Sequence, residues 1–205
     1  MRQSKAYLLT IRSLFIAILI LQSFVPFLGY IPLGIINLTI IQITVILGGI
    51  LLGPKNGLFL GFSWGLIKWF LAYTAPSSLM DTMVFRNPII TIIPRMLVGW
   101  IAGLVFQWLY QKTKNTKLSS FTTGIIGSLT NTVFVLSFIR IFASHQAAAV
   151  YHTSTQFLTN VLLGIAGTNG IPECIASAIL VPILAHILFR FTKLKPGQTP
   201  TIYKY

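Results

Sequence analysis

Arg95 stands in "NPIITIIPRMLVGW" (87–100), a stretch apolar enough to cross a membrane. A guanidinium at that depth costs about 2.5–3.5 kcal/mol on insertion scales, so its presence asks for a partner. Two further cations, Lys68 and Arg140, fall within or at the ends of apolar runs. Placed on the helices described below, all three gather toward one face of the membrane. The whole chain has two acids, Asp81 and Glu173, against fifteen Lys and Arg. Both acids belong near that same face, and together they can neutralise two of the three cations. At least one positive charge therefore remains for an anion arriving from outside. An arginine grips a carboxylate through two parallel hydrogen bonds, which count for more where the dielectric is low. Arg140, near a helix end, is explained as well by snorkelling to the headgroups, and Lys68 can snorkel too.

Uncharged polar residues sit at compatible depths. Trp64 and Lys68 are four apart and share a helix face. Gly61 and Gly65 let another helix come close. Asn131, in the middle of an apolar segment, is either interhelical glue or a ligand contact. Asn37, Thr39 and Gln42 open one segment, and Asn169 and Glu173 flank "GIP" at the start of another. Trp100, Trp108 and Tyr110 suit packing or interfacial anchoring. No arrangement is catalytic: His-Glu-x-x-His, Gly-x-Ser-x-Gly and the phosphate-binding Walker loop are all missing from the sequence. His145, His152 and His186 have no metal-ligand spacing, so no metal and no cofactor are expected. Cys174 is the single cysteine and cannot form an internal disulfide.

The elements that must position these residues are membrane helices. Of 205 residues 55% are hydrophobic and 8% charged, with a mean hydropathy of +0.82. A soluble domain carries about 25% charged residues, so part of this chain's solvent is lipid. A spanning helix needs about 20 apolar residues. Six segments qualify: 7–27, 37–52 (short for a span), 57–74, 88–110, 121–142 and 171–191. Pro88 and Pro172 suit first-turn positions. Between the segments lie an irregular "LGYIPLGII", a tight "GPKN" turn, a polar loop 75–87, a basic "QKTKNTK" connection and a longer loop 143–170 containing a short helix. The tail "TKLKPGQTPTIYKY" reads as polar and frayed. No small-x-small cleavage site precedes "FVPFLGY", and the expectation is one integral membrane domain, 1–205.

Six spans put both termini on one side. Eleven Lys and Arg fall there (Arg2, Lys5, Arg12, Lys55, Lys112, Lys114, Lys117, Arg190, Lys193, Lys195, Lys204) and only Arg86 in the opposite loops, so the termini are cytoplasmic. Topology thus absorbs most of the net charge of +13, and no nucleic-acid site is needed. Small-xxx-small pairs, Ser13/Ala17 in the first segment and Gly99/Gly103 in the fourth, provide shallow grooves for a partner helix or for internal packing.

Six helices in about 200 residues, together with "FVPFLGYIPL", "LGPKNGLFLGFSWG" and "NPIITIIPRMLVGWIAGL", resemble the substrate-binding S-components of energy-coupling factor (ECF) vitamin transporters, over nearly the whole chain. Within that family the chain is most similar to pantothenate-binding members. The resemblance implies an all-α, multi-pass protein of a bacterial cell membrane that binds its vitamin from outside and hydrolyses no ATP itself. It implies docking onto a transmembrane T-component carrying two ATP-binding-cassette ATPase subunits, tipping over, and release of the vitamin inside. Docking in the family uses an Ala-xxx-Ala motif in helix one, matched here by Ser13 and Ala17, with a serine departing from the pattern. Loops 28–36, 75–87 and 143–170 are then the external gates. On this reading Arg95, helped by Lys68, takes the pantothenate carboxylate. Trp64 and Phe70 shape the apolar wall, and Asn131 and Asn169 hydrogen-bond the hydroxyls or the amide. Other vitamins remain open: folate also has carboxylates, and a pyridoxine- or thiamine-type ring would use Trp64, Phe70 and Tyr73 as a sandwich. From another class, an independent ion-coupled transporter would need titratable acids inside spans, and only Glu173 approaches that role.

Overall fold

A computed structural model describes all residues except 1, 4, 26, 34, 35, 193, 199, 200 and 203–205, and gives backbone alone for 2–3, 31–33, 36–38 and 201–202. Gly34 and Ile35 of the first expected gate, Lys193 and Lys204 of the charge count, and the side chains of Arg2 and Asn37 thus lie outside the described residues.

Each of the six apolar segments is helical: α1 (Lys5–Phe24), α2 (Ile41–Leu52), α3 (Pro54–Thr74), α5 (Pro88–Thr113), α6 (Thr116–Phe142) and α9 (Ile171–Phe191). Short helices α4 (Leu79–Met83), α7 (Ser144–Val150) and α8 (Leu158–Ile165) lie in the connections. Among the described residues four helical stretches are long and apolar enough to cross a membrane: α1, α5, α6 and the continuous run from α8 through α9. With these helices the protein is an integral membrane protein. At a rise of about 1.5 Å per residue, twelve-residue α2 is too short for a hydrocarbon core.

The local chemistry explains the boundaries. Asn87 caps α5 by accepting from the Ile89 N–H at 3.0 Å, with Pro88 in the first turn, where no helical N–H is missed. Lys114 ends α5 in the left-handed region, and Asn115 at once caps α6 through the Leu118 N–H. The expected basic connection is therefore helical at both ends, with Lys114 and Asn115 as the turn. Between α2 and α3 the chain turns on Gly53 at φ 86°, a conformation glycine adopts without a Cβ penalty.

Three connections differ from the sequence expectation. "LGYIPLGII" is not irregular: β2 (Tyr30–Leu33) pairs antiparallel with β3 (Ile36–Thr39), Tyr30 opposite Thr39. The hairpin takes the first residues expected for segment two, and it qualifies the all-α class, as does the two-residue parallel pair of β1 (Arg2–Gln3) with β4 (Thr201–Ile202). Loop 75–87 contains α4, capped by Ser78. Loop 143–170 holds two helices, and a π-helical turn, Ala166–Gly170, runs straight into α9.

Glycines set the packing. α3 and α5 share the most extensive helix contact. A Cβ on Gly61 would overlap the Arg95 carbonyl, one on Gly57 the Gly99 carbonyl, and one on Gly65 would lie 2.8 Å from Ile92 Cα. Gly103 backs onto Pro54, so the Gly99/Gly103 pair serves internal packing. Every residue of α2 is buried, making it the centre of the bundle. α1 buries only Leu8, Phe15 and Leu19 and is joined to α2 by the Thr44 hydroxyl donating to Gln22 Oε1 at 2.8 Å.

Candidate functional site

The close approach of α3 and α5 brings Trp64, between Gly61 and Gly65, against Arg95. The guanidinium carbon lies 5.4 Å from the Trp64 ring centroid and 5.3 Å from that of Phe85. Arg95 is 6% exposed and Trp64 1%. Pro94 explains one of the arginine's contacts. Lacking an N–H, it cannot bond the Ile90 carbonyl four residues back. Arg95 Nη1 donates to that same oxygen at 3.0 Å. Arg95 Nε and Trp64 Nε1, both buried, have no protein acceptor among the described residues.

Lys68 has a different fate. Its Nζ lies 2.8 Å from Asp81 Oδ1, the only ion pair among the described residues. Asp81 Oδ2 accepts from the Ser77 N–H at 2.9 Å and the Ser77 hydroxyl at 2.7 Å. Burial alone would raise the Asp81 carboxyl, but the Lys68 ammonium and the Ser77 donors outweigh it and hold the pKa below the ordinary carboxylate value. The pair fastens α4 onto α3. Lys68 also lies 5.9 Å from the Phe85 centroid, so one ring contacts both cations, and 5.5 Å from the Tyr30 ring of the hairpin.

The second acid, Glu173, faces Arg95 electrostatically without an ion pair within 4.0 Å. Its Oε1 accepts from the Thr39 N–H at 2.9 Å and its Oε2 from Gln42 Nε2 at 3.3 Å. Gln42 Nε2 also donates to Ser128 Oγ at 3.2 Å. Asn131, one turn along α6 from Ser128, is buried, and its Oδ1 has no protein donor among the described residues.

Trp64, Lys68 and Arg95 are thus brought together around Phe85, and Asn131 lies on the buried face of α6. Asn169 is half-buried in the π turn, which packs on β3 and α6. Phe70 is not part of the cluster: it is 57% exposed, because six residues carry it about 120° around α3 from Trp64. Arg140 also stands apart. It is exposed, donates from Nε to Thr159 Oγ1 at 3.1 Å, and lines a cleft of about 300 Å³ between α6 and α8 with Leu136, Ile141 and Leu163. Ser13 and Ala17 are exposed on α1 in one stripe with Leu9 and Leu21.

Sequence reasoning missed Phe85, Tyr30 and the carbonyl role of Arg95. The first two lie in connections where no periodicity points inward. The third was legible, since a proline in a helix always strands the carbonyl four residues earlier.

A family model described as "ECF transporter, substrate-specific component" matches residues 8–185. A "Pantothenate transporter PanT" of Leuconostoc mesenteroides is 37% identical over 196 residues, covering 92% of this chain and 95% of the relative. A "Pantothenic acid transporter PanT" of Lactococcus lactis subsp. cremoris is 31% identical over 203 residues, covering 92% and 96%.

Proposed function

The chain belongs to the family of ECF transporter substrate-specific components, and from that premise we propose that it captures pantothenate outside the cell and hands it to an ECF module for ATP-driven import. The module consists of a T-component and two ATP-binding-cassette ATPases. Residues 1–205 act as one membrane domain of six helices: α1, α3, α5, α6 and α9 reach across the bilayer, and short α2, buried along its whole length, makes the sixth pass inside the bundle together with the β2–β3 hairpin that precedes it. The termini are cytoplasmic, by the distribution of Lys and Arg. Segments 28–36, 75–87 and 143–170 then close the outer end.

One observation carries the substrate reading: Arg95 is buried, lies within 5.4 Å of the centroids of two aromatic rings, and has no carboxylate partner among the described residues. The ring faces offset part of its desolvation, and the rest awaits an anion. Nε of Arg95 and Nε1 of Trp64 are two donors without acceptors among the described residues, a pairing that suits the two oxygens of a carboxylate. Lys68 contributes through its pair with Asp81, which holds the α4 gate against α3 near that carboxylate. Asn131 and Asn169 serve the remainder of the ligand. Phe70, exposed, takes no part. Arg95→Ala should weaken pantothenate binding at least tenfold, about 1.4 kcal/mol, measured by equilibrium binding to purified protein. Unchanged affinity in a folded variant refutes the assignment.

The exposed Ser13/Ala17 stripe supports docking to the T-component, since small residues let two helix backbones approach. Ser13→Trp should spare binding by the isolated protein yet abolish ATP-dependent uptake in vesicles containing the module. Uptake at the wild-type rate would place docking elsewhere.

A further inference from the structure

We infer that Gln42, Asn131 and Glu173 form a second pole of the site that reads the hydroxyl end of the ligand, fixes its direction, and excludes it once that hydroxyl carries a phosphate. This rests on the pantothenate reading above and goes beyond it by assigning the opposite end.

The two poles differ in kind. Around Arg95 the buried groups without partners among the described residues are donors, Arg95 Nε and Trp64 Nε1. Around Glu173, among the described residues, they are the amide oxygens Gln42 Oε1 and Asn131 Oδ1 and, one turn along α9, the Ser177 hydroxyl, which can accept as well as donate. Gln42 cannot exchange its roles. Its Nε2 is committed to Glu173 Oε2 at 3.3 Å and Ser128 Oγ at 3.2 Å, which leaves the amide oxygen as the unpaired atom. The Thr39 N–H, at 2.9 Å from Oε1, holds the Glu173 carboxylate with both oxygens accepting. Hydroxyls are donors that bring no charge, and they satisfy stranded acceptors in a buried setting where an unmet polar group is costly. Pantothenate has a carboxylate at one end and two hydroxyls at the other, so donors meet the carboxylate and acceptors meet the hydroxyls in one orientation only. Reversal would set the ligand's anion against Glu173. A phosphate ester on the hydroxyl end removes a donor and sets two negative groups together in a low dielectric.

The test compares three probes on purified protein by equilibrium binding: pantothenate, its analogue lacking the primary hydroxyl, and its phosphate ester at that hydroxyl. Wild-type should bind the deoxy analogue at least about tenfold, and the phosphate ester at least about a hundredfold, more weakly than pantothenate. Glu173→Gln should narrow the phosphate discrimination about tenfold. Asn131→Ala should bring pantothenate down toward the deoxy analogue. Arg95→Ala should weaken pantothenate and the deoxy analogue alike. A Glu173 side chain that merely staples β3 to α9 would shift all affinities together and leave the ratios fixed. Ratios unchanged in both Glu173→Gln and Asn131→Ala, with Arg95→Ala still impaired, overturn the second pole and leave the carboxylate assignment standing. Wild-type protein that binds none of the three overturns both. Should Glu173→Gln fail to fold, the Asn131→Ala ratios decide.

Discussion

Lys68 and Arg95 lie on neighbouring helices and both contact the Phe85 ring, Arg95 buried and Lys68 half-buried, yet they are compensated in opposite ways. Lys68 meets Asp81 at 2.8 Å, a carboxylate supplied by the next connection of the chain. Arg95 meets aromatic faces and the one carbonyl that Pro94 releases. Ring and carbonyl contacts solvate a guanidinium but do not cancel its charge. The difference separates a cation that holds structure from one prepared for a ligand. In a chain with two acids, where each carboxylate goes decides which cation is left over.

The largest effect should come from the backbone that juxtaposes the two cations. Gly61 has the Arg95 carbonyl where a Cβ would be. Backbone cannot yield as a flexible side chain can, so Gly61→Leu must push α3 off α5. The expected cost is about 3 kcal/mol or more, seen as loss of folded, monodisperse protein in detergent. A Gly61→Leu protein with wild-type thermal stability and binding would show that the helix approach does not set the site.

How much of this was legible in sequence follows from the same contrast. The helices were, because apolar length is a local signal, and α9 spans the residues read for it. The glycine face of α3 was also visible, at four-residue spacing. Residue type alone suggests Phe70 as a wall of the site, whereas the helix angle between it and Trp64 sets it on the exposed side of α3. Phe85 and Tyr30 were beyond reach because non-local contacts placed them, and Gln42 was noted only for its depth. Its hydrogen bond to Glu173 joins residues 131 positions apart, and no local pattern encodes such a pairing.

A smaller effect should follow from cutting the Lys68–Asp81 pair. Asp81→Asn leaves a mostly buried ammonium with an amide in place of a charge, costing about 2 kcal/mol. Because the folded Asp81 pKa lies below its ordinary value, the pair stabilises the protein above that ordinary value and is lost as pH falls through the lowered one. The stability gap between wild-type and Asp81→Asn should therefore stay constant from neutral to mildly acidic pH and close only in stronger acid. A gap that closes near neutrality would mean that another group governs the α4 connection. Pantothenate affinity should drop less than in Arg95→Ala, since this variant loosens a gate and leaves the guanidinium in place.

The smallest effect separates two phenylalanines. Phe85 touches both cations, whereas Phe70 faces outward from α3. A ring over a guanidinium contributes about 0.5–1 kcal/mol at modest desolvation, so Phe85→Ala should weaken pantothenate binding about threefold. Phe70→Ala should leave it within about twofold of wild-type. Both changes remove the same atoms from one residue type, so hydrophobicity as such cannot account for a difference between them. Equal losses would mean that the ring contacts with Arg95 contribute nothing to holding the ligand. A larger loss in Phe70→Ala would return the apolar wall to the outward face of α3 and take Arg95 out of the site with it.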